Sequence, residues 1–340
     1  MRVAVLGAGG PAGVNALRAL SAAGHDCVAA DANQSHLVWC HAMAETVHMP
    51  ELTPEAIDAL DANVVIPQPD ALVPLVARYA LRARTLLPDT DVIDRCQDKL
   101  ATAHSWYCEG LREMPPVEVS TPWPDFLHIA RDRYGLPFWL RATRGAGAKG
   151  AILVRSLEQA FHWLRFWESR NTDMTWLAEE YLPGRDFAWS SVWYRGELQA
   201  SFARERLEYL YPHLTPEGLT GTPTIGQIVH DERVNATASK AVLAIDPKPH
   251  GIYSVDLRGD AFGAPRPTEI NAGRGFTTFG LWSLYGANFL DLVARLAVDG
   301  PNWWLYRPDL EKPEEWNALP DGLTLHRHID CRFVFTRVAV

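Results

Sequence analysis

The sequence predicts an α/β chain that becomes α+β in its second half: a Rossmann-like parallel unit first, then antiparallel strand pairs. Three observations carry this. Residues 2–6, RVAVL, form an apolar run that ends in the glycine turn GAGGPAG and passes into helical periodicity from Val14 to Ala23, a β-α-β opening. Short apolar runs and helical stretches then alternate to about residue 87, which implies a parallel sheet wrapped by helices. Beyond residue 137 the strands come in pairs joined by glycine-bearing loops, most plainly in GIYSVDLRGDAFGAPRPTEINAGRGF, Gly251 to Phe276. A pair of this kind is an antiparallel hairpin.

The opening elements justify themselves in order. Gly24 closes the first helix, Asp26–Ala30 is the second strand, and Asp31 stands at its end. Thr46–Met49 reads as a short strand, Pro54–Leu60 as a helix and Asn63–Pro67 as a third buried strand; Ala71–Ala83 is a helix and Thr85–Leu87 a further strand. The glycines Gly7, Gly9 and Gly13 follow GxGxxxG, one residue longer than the dinucleotide fingerprint GxGxxG. The turn therefore admits three readings. It belongs to a nicotinamide site with Asp31 on a ribose, it is a structural α/β unit, or it approaches a substrate carboxylate with its helix N-terminus.

Composition narrows the classes. The 340 residues suffice for two or three packed subdomains, and 47% apolar with 21% charged residues is ordinary for a globular protein. A net charge of −9 argues against a general nucleic-acid binder, because phosphate backbones need a positive surface. No apolar run approaches the roughly 18 residues of a membrane span. The start, MRVAVLGAGG, enters a strand directly, without a signal-peptide layout. Five scattered cysteines (Cys27, Cys40, Cys96, Cys108, Cys331) lack CxxC spacing, which points to reduced thiols, a cytoplasmic location and no zinc site. Most of the thirteen tryptophans belong to the core.

In the hairpin, Ile252–Arg258 is one arm, Gly259, Asp260 and Gly263 form the turn, and Arg266–Asn271 returns. Alternation puts Glu269 and Asn271 on one face of their arm, and a suitable register brings Asp256 opposite them. Three hard oxygen donors without His or Cys suit Mg²⁺, with Mn²⁺ as a substitute. Residue types alone leave a plainer reading open, in which each acid solvates an exposed face.

Asp256, twelve intervening residues, then Glu269-x-Asn271 resembles the metal-binding signature of the ATP-grasp ligases, a superfamily that includes D-alanine–D-alanine ligase, biotin carboxylase and carbamoyl-phosphate synthetase. The resemblance spans roughly residues 1–300, in five segments of matching order. It implies a Rossmann-like pre-ATP-grasp domain over 1–95, a two-subdomain ATP-grasp fold over 96–300 (divided near 175), and an extension over 301–340 without a usable motif. It also implies that Asp256, Glu269 and Asn271 hold Mg²⁺ against the phosphates of ATP.

The remaining segments follow by the same resemblance. PQPDALVPL resembles the point where the first domain meets the cleft. DRCQDKLATAHSWYCEGL resembles the DK-x-x-T helix whose lysine, here Lys99, reaches phosphates. PFWLRATRGAGAKGAILV resembles the phosphate loop, with Gly145, Gly147 and Lys149 in the loop and Arg141 where most members have lysine. WLAEEYLPGRDFAWSSVWYRGEL resembles the adenine hinge: Glu179 or Glu180 at the adenine edge, then Tyr181 and Leu182, with Asp186, seven residues after Glu179, on the ribose. Residues 203–229 resemble the long loop and re-entry strand over the nucleotide, with Arg204, Tyr209, Tyr211 and His213 as candidate substrate contacts. Arg258 and Arg274 flank the triad and would meet an acylphosphate; relatives often carry Glu-x-Asn-x-Arg, whereas Arg274 comes one residue later. Thr237–Leu243 begins a helix, and Trp282–Val298 is a helix with one apolar face.

The resemblance implies a ligase that joins a small carboxylate to an amine through an acylphosphate, releasing ADP and phosphate. Its partners are small molecules rather than nucleic acid or membrane, and a homodimer is compatible with it. Two alternatives stand beside it: a nicotinamide-dependent oxidoreductase using the N-terminal turn, and carboxylase or carbamate-phosphorylating chemistry within the same superfamily.

Overall fold

Four short parallel strands open the computed structural model, which describes all residues except 146–149, 171–173, 219, 307–311, 329–333 and 338–340. They are β1 (Arg2–Leu6), β2 (Asp26–Asp31), β3 (Glu45–His48) and β4 (Val64–Pro67), in the order β3-β2-β1-β4. Leu6 pairs with both Ala30 and Pro67, so the turn after β1 emerges between its neighbours. The helix Pro11–Ala22 packs Ala16, Leu17, Ala19 and Leu20 under the sheet. Expectation and structure part at the end of this unit. The helix expected over 71–83 is only Val73–Arg78, and the strand expected at 85–87 is reduced to one bridge, Val64 to Arg84. The apolar residues there are too few to sustain a ladder.

A second sheet, entirely antiparallel, runs β5-β8-β6-β7, from β5 (Val117–Val119), β6 (Phe138–Ala142), β7 (Ile152–Val154) and β8 (Trp176–Glu180). Phe138, Leu140, Trp176 and Ala178 pack against the helices Trp123–Tyr134 and Leu157–Glu168.

The third sheet has seven antiparallel strands in the order β13-β12-β9-β10-β11-β14-β15. These are β9 (Asp186–Tyr194), β10 (Glu197–Tyr209), β11 (Pro223–Ile228), β12 (Gly251–Gly259), β13 (Pro265–Ala272), β14 (Leu323–His326) and β15 (Val334–Arg337). Period-2 alternation gives it two different faces. Phe187, Trp189, Trp193, Val255, Leu257 and Ile270 point to one side, where the helix Glu232–Leu243 covers them with Val234, Ala238, Ala241 and Val242. On the other side the alternate positions change character along the strands. Val192, Ala200, Phe202 and Ile252 are apolar and pack on the first domain through Phe279, Trp282 and Phe289. Asp186, Arg204, Arg206, Asp256 and Arg258, on the same face, line a cavity.

Three element expectations are corrected here. Residues 203–209 belong to β10 rather than a loop, because ARERLEY continues the strand alternation. The helix expected from Thr237 starts at Glu232, where the Asp231 side chain accepts from the N–H of Arg233. The helix expected over 282–298 is two, Phe279–Trp282 and Phe289–Asp299, the second capped by Asn288. The first helix needs Gly280: a Cβ there would lie 2.4 Å from the Asn15 carbonyl oxygen of the helix Pro11–Ala22. No helix among the described residues is long and apolar enough to cross a membrane.

A buried charge network ties the second of those helices to the first domain. Asp291 accepts from His25 Nε2 at 2.7 Å and from Arg295 Nε at 2.8 Å, and Arg295 is only 5% exposed. Burial alone would raise the Asp291 carboxyl, but the His25 and Arg295 hydrogen bonds hold it below the usual carboxylate range. Its stabilisation is therefore complete above the unfolded carboxylate range, near pH 4, and is lost as pH falls through the lower folded value. Asp291→Ala leaves Arg295 buried without its carboxylate and should cost about 3–5 kcal/mol in urea denaturation at pH 7. The variant's stability should also fall less on acidification than the parent's; an identical acid limb would show that this pair does not contribute to it.

Candidate functional site

Sheet register assembles one wall of the cavity. Arg204 on β10 and Asp256 on β12 both pair with Ala188 on β9, and Asp256 pairs with Glu269 on β13. Directly opposed residues in antiparallel strands share a face. Arg204, Asp256 and Glu269 thus form a row, with Asp186, Arg206, Arg258 and Asn271 two residues away on the same face. All seven line a cavity of about 380 Å³. The expected convergence of Asp256, Glu269 and Asn271 is what this register produces.

The opposite wall comes from the smaller sheet and the helix Lys99–Cys108. Asp98 caps that helix, accepting from Leu100 and Ala101, and the Lys99 N–H donates to the Thr143 carbonyl at 2.8 Å. The lysine side chain therefore projects toward Gly145. Its Nζ lies 2.6 Å from the Gly145 carbonyl and 3.7 Å from Glu269. Burial lowers the Lys99 ammonium from its usual value, with Glu269 opposing. Gly145 borders the cavity; Gly147 and Lys149 lie outside the described residues.

Arg141 borders the cavity too but is already engaged. It lies diagonal to Glu179 across the β6–β8 pair; its Nη2 forms an ion pair with Glu179 at 2.6 Å and donates to the Thr268 carbonyl at 2.7 Å. Arg112 completes a buried quartet, 3.5 Å from Glu179 and 3.0 Å from Glu180. At 3% exposure, Glu179 faces two guanidinium groups rather than open space. Tyr181 and Leu182 follow on the cavity wall.

The acids on the large sheet share a cation that sequence reasoning missed. Arg206 donates to Asp256 at 2.6 Å and to Asp186 at 3.3 Å, and Asp186 also accepts from the Tyr209 hydroxyl at 2.6 Å. Burial by itself would lower Arg206, yet Asp256 and Asp186 hold it well above its usual value. Asp256 is pushed up to about 6, first by burial and then by Glu269 and Asp186, against the pull of Arg206. The signal for Arg206 was present in the alternation of ARERLEY, which is legible only once 203–209 is taken as strand.

The flanking arginines separate. Arg274 is clamped by both carboxylate oxygens of Asp70, with Nη2 to Oδ2 at 2.6 Å. The PQPD segment thus meets the cleft at this ion pair. Arg258 lines the cavity with only a long contact, 3.5 Å, to the Gly184 carbonyl. Tyr209 borders the cavity, whereas Tyr211 and His213 line an adjoining one of about 400 Å³ that shares Tyr209 and Arg327 with it.

Asp256, Glu269 and Asn271 suit a hard divalent cation by donor chemistry. Arg206 meets Asp256 through Oδ1, and the Asn271 amide makes no hydrogen bond among the described residues. Among those residues no group of three His, Cys, Asp or Glu side chains is placed to hold a metal; the set here is two carboxylates and an amide.

The N-terminal turn has a different character. Asp31 accepts from the N–H groups of Gly9 and Asn33, at 2.9 and 2.8 Å. A Cβ on Gly9 would stand 2.4 Å from that of His36. The glycine is thus required by packing within the protein.

No protein-family model matches the chain. It is 29% identical over 155 residues to 2'-dehydrokanamycin reductase of Streptomyces kanamyceticus; the match spans 46% of this chain and 42% of that protein, less than half of each. Solved structures align far more of it. Biotin carboxylase of Campylobacter jejuni aligns over 95% of this chain and 74% of its own, with TM-score 0.70 and 16% identity. N5-carboxyaminoimidazole synthetase of Staphylococcus aureus with ADP aligns over 88% and 77%, with TM-score 0.63 and 18% identity. L-amino acid ligase of Bacillus licheniformis aligns over 95% and 78%, with TM-score 0.64 and 14% identity. At such identities the likeness establishes the fold, which is the ATP-grasp fold.

The buried quartet generates a stability prediction. Glu179→Ala leaves Arg141 without a carboxylate in a dry site and should cost about 3–5 kcal/mol. Glu180→Ala leaves Arg112 still facing Glu179 and should cost less than half as much. Guanidinium denaturation at unchanged m-value separates them; equal losses would mean that the two acids share the charge evenly.

Proposed function

We propose that this ATP-grasp chain is an ATP-dependent ligase that joins a small carboxylate to an amine. The observation that carries the reading is the row of Asp256, Glu269 and Asn271 facing Lys99 and Gly145 across one cavity. The substrate carboxylate attacks the γ-phosphorus of ATP, giving an acylphosphate and ADP; the amine then displaces phosphate to form the amide. Positioning and charge neutralisation are the protein's work in such chemistry.

In this reading Lys99 and Arg141, with Gly145, Gly147 and Lys149, face the phosphates. Glu179 or Glu180, Tyr181 and Leu182 line the adenine end, and Asp186 takes the ribose hydroxyls while Tyr209 and Arg206 orient it. Arg258 is free to meet an acylphosphate oxygen; Arg274, held by Asp70, positions the loop beyond the metal donors. Asp256, Glu269 and Asn271 would hold Mg²⁺, which supplies positive charge at the phosphate oxygens when bound. The divisions at 95, 175 and 300 belong to the same proposal. Its support is the fold shared with a synthetase solved with ADP and with an amino acid ligase.

The partial likeness to a reductase favours a second reading, a nicotinamide-dependent enzyme using Gly7, Gly9 and Asp31. The engagement of Asp31 by Gly9 and the packing of His36 against that glycine weigh against it. Calorimetry with Mg·ATP and with NADH and NADPH decides between them. We expect saturable Mg·ATP binding that chelation weakens, with no heat from either nicotinamide; the reverse pattern would replace the ligase with the reductase.

Two sets of variants test the assigned roles. Glu269→Ala and Asn271→Ala should each lower ADP release at least a hundredfold, about 2.7 kcal/mol of barrier, and make nucleotide binding insensitive to Mg²⁺. Asp186→Ala should raise KM for ATP with little change in kcat, since a ribose contact acts equally in ground and transition states. Loss of kcat at unchanged KM would move Asp186 away from the ribose.

A further inference from the structure

Arg204 is a buried charged group in the cavity that forms no ion pair among the described residues. It is 2% exposed, lines the cavity, and no carboxylate among the described residues pairs with it. Its Nη1 has no hydrogen-bond partner there. Arg206, two residues on along the same face, absorbs both nearby acids. The two guanidinium groups lie 4.7 and 5.2 Å from the centroid of one aromatic ring, Phe276. A ring face attracts a guanidinium but does not neutralise it. Burial and the proximity of Arg206 push Arg204 down to about 9, against the opposing pull of Asp256, Tyr209 and Asp186.

Two further groups point the same way. The Thr278 hydroxyl, on a residue 3% exposed, is buried without a partner, and its residue lines the cavity just beyond Phe276. Arg327, which follows β14, borders the same cavity, and burial lowers its guanidinium as well. Arg204 lies two strands from Asp256, about 10 Å between backbones at the usual spacing. Asp256 is taken by Arg206 and not by Arg204, which leaves Arg204 for a separate anion.

We propose that Arg204, Arg327 and Thr278 form a second oxyanion subsite in this cavity, and that the acid substrate carries a carboxylate or phosphate group there in addition to its reacting carboxylate. This rests on the ligase reading above for the identity of the ligand as substrate, whereas the subsite itself stands on the unpaired groups alone. A planar guanidinium fork suits either oxyanion. Binding one would supply the charge that Arg204 lacks in the free protein, and the anion would in turn be held away from water.

Thermal unfolding and calorimetry of the whole chain test it, with acetate, succinate, glutarate and inorganic phosphate as probes at constant ionic strength, with and without Mg·ATP. Succinate, glutarate or phosphate should stabilise the parent protein more than acetate does. Dicarboxylates without effect of phosphate would identify a carboxylate site, and phosphate alone a phosphate site; either supports the subsite. Arg204→Met should be at least as stable as the parent in anion-free buffer, because it removes an uncompensated buried charge, and should lose the anion response. Arg327→Ala, at a less buried position, should weaken the best probe about tenfold with Mg·ATP binding kept. The subsite is overturned if Arg204→Met is markedly less stable or fails to fold, if all probes act alike on the parent, or if Arg327→Ala responds as the parent does. It is also overturned if the Arg204 or Arg327 variant loses Mg·ATP binding together with the anion response, which would assign these cations to the nucleotide. Absence of Mg·ATP binding in the parent with the anion response intact would sink the ligase reading and leave the subsite standing.

Discussion

Arg206 between Asp186 and Asp256 is the interaction on which the cleft depends. Antiparallel strands that are apolar on one face and charged on the other must resolve the cost of enclosing that charge. Here Trp189, Val255 and Leu257 anchor one side to the helix Glu232–Leu243, and the charged side is enclosed by the smaller sheet. Two acids two strand positions apart would repel in that setting. A guanidinium bonded to both at 2.6 and 3.3 Å lets them coexist. Asp256 still stays high, near 6, so the row is partly rather than fully neutralised.

The same charged face becomes apolar toward the first domain, and that change sets where the cleft ends. Phe202, two residues before Arg204 on its strand, stacks with Phe279 and Phe289 rather than facing solvent. The helix Phe279–Trp282 is pressed onto the helix Pro11–Ala22 at Gly280, so the parallel sheet and the seven-stranded sheet share one core. Asp70, delivered by the end of β4, then reaches Arg274, three residues beyond Asn271. The first domain thereby supports the cleft by packing and by one ion pair, and its glycine turn is absorbed in that packing.

Glu179 illustrates how a local motif and its surroundings differ. Residues 179–182, at the end of β8, border the cavity. The carboxylate itself is turned to Arg112 and Arg141. Arg112 is 67 residues away from Glu179 and belongs to no recognisable motif, so nothing local predicts the pairing. Arg141 shows the converse: a residue that the resemblance puts at phosphate is also the internal partner of Glu179.

By itself the sequence determined the elements whose signals are local. The β-α-β opening, the hairpin with Glu269 and Asn271 on one face of its second arm, and the strand–loop–strand around Gly145 all follow from alternation, apolar runs and turn residues within a few positions of each other; that Asp256 stands opposite Glu269 is decided by the register. Tertiary structure alone decided which charges are spent and which remain. Arg206, Arg141 and Arg274 are occupied because Asp186, Glu179 and Asp70 arrive from other strands and another domain. Arg204 is left over for the same reason: its neighbours across the sheet are Ala188 and Ile228, and no acid among the described residues forms an ion pair with it. Charge pairing in a buried site is set by register and by distant segments, and neither is written in the residues that flank an arginine.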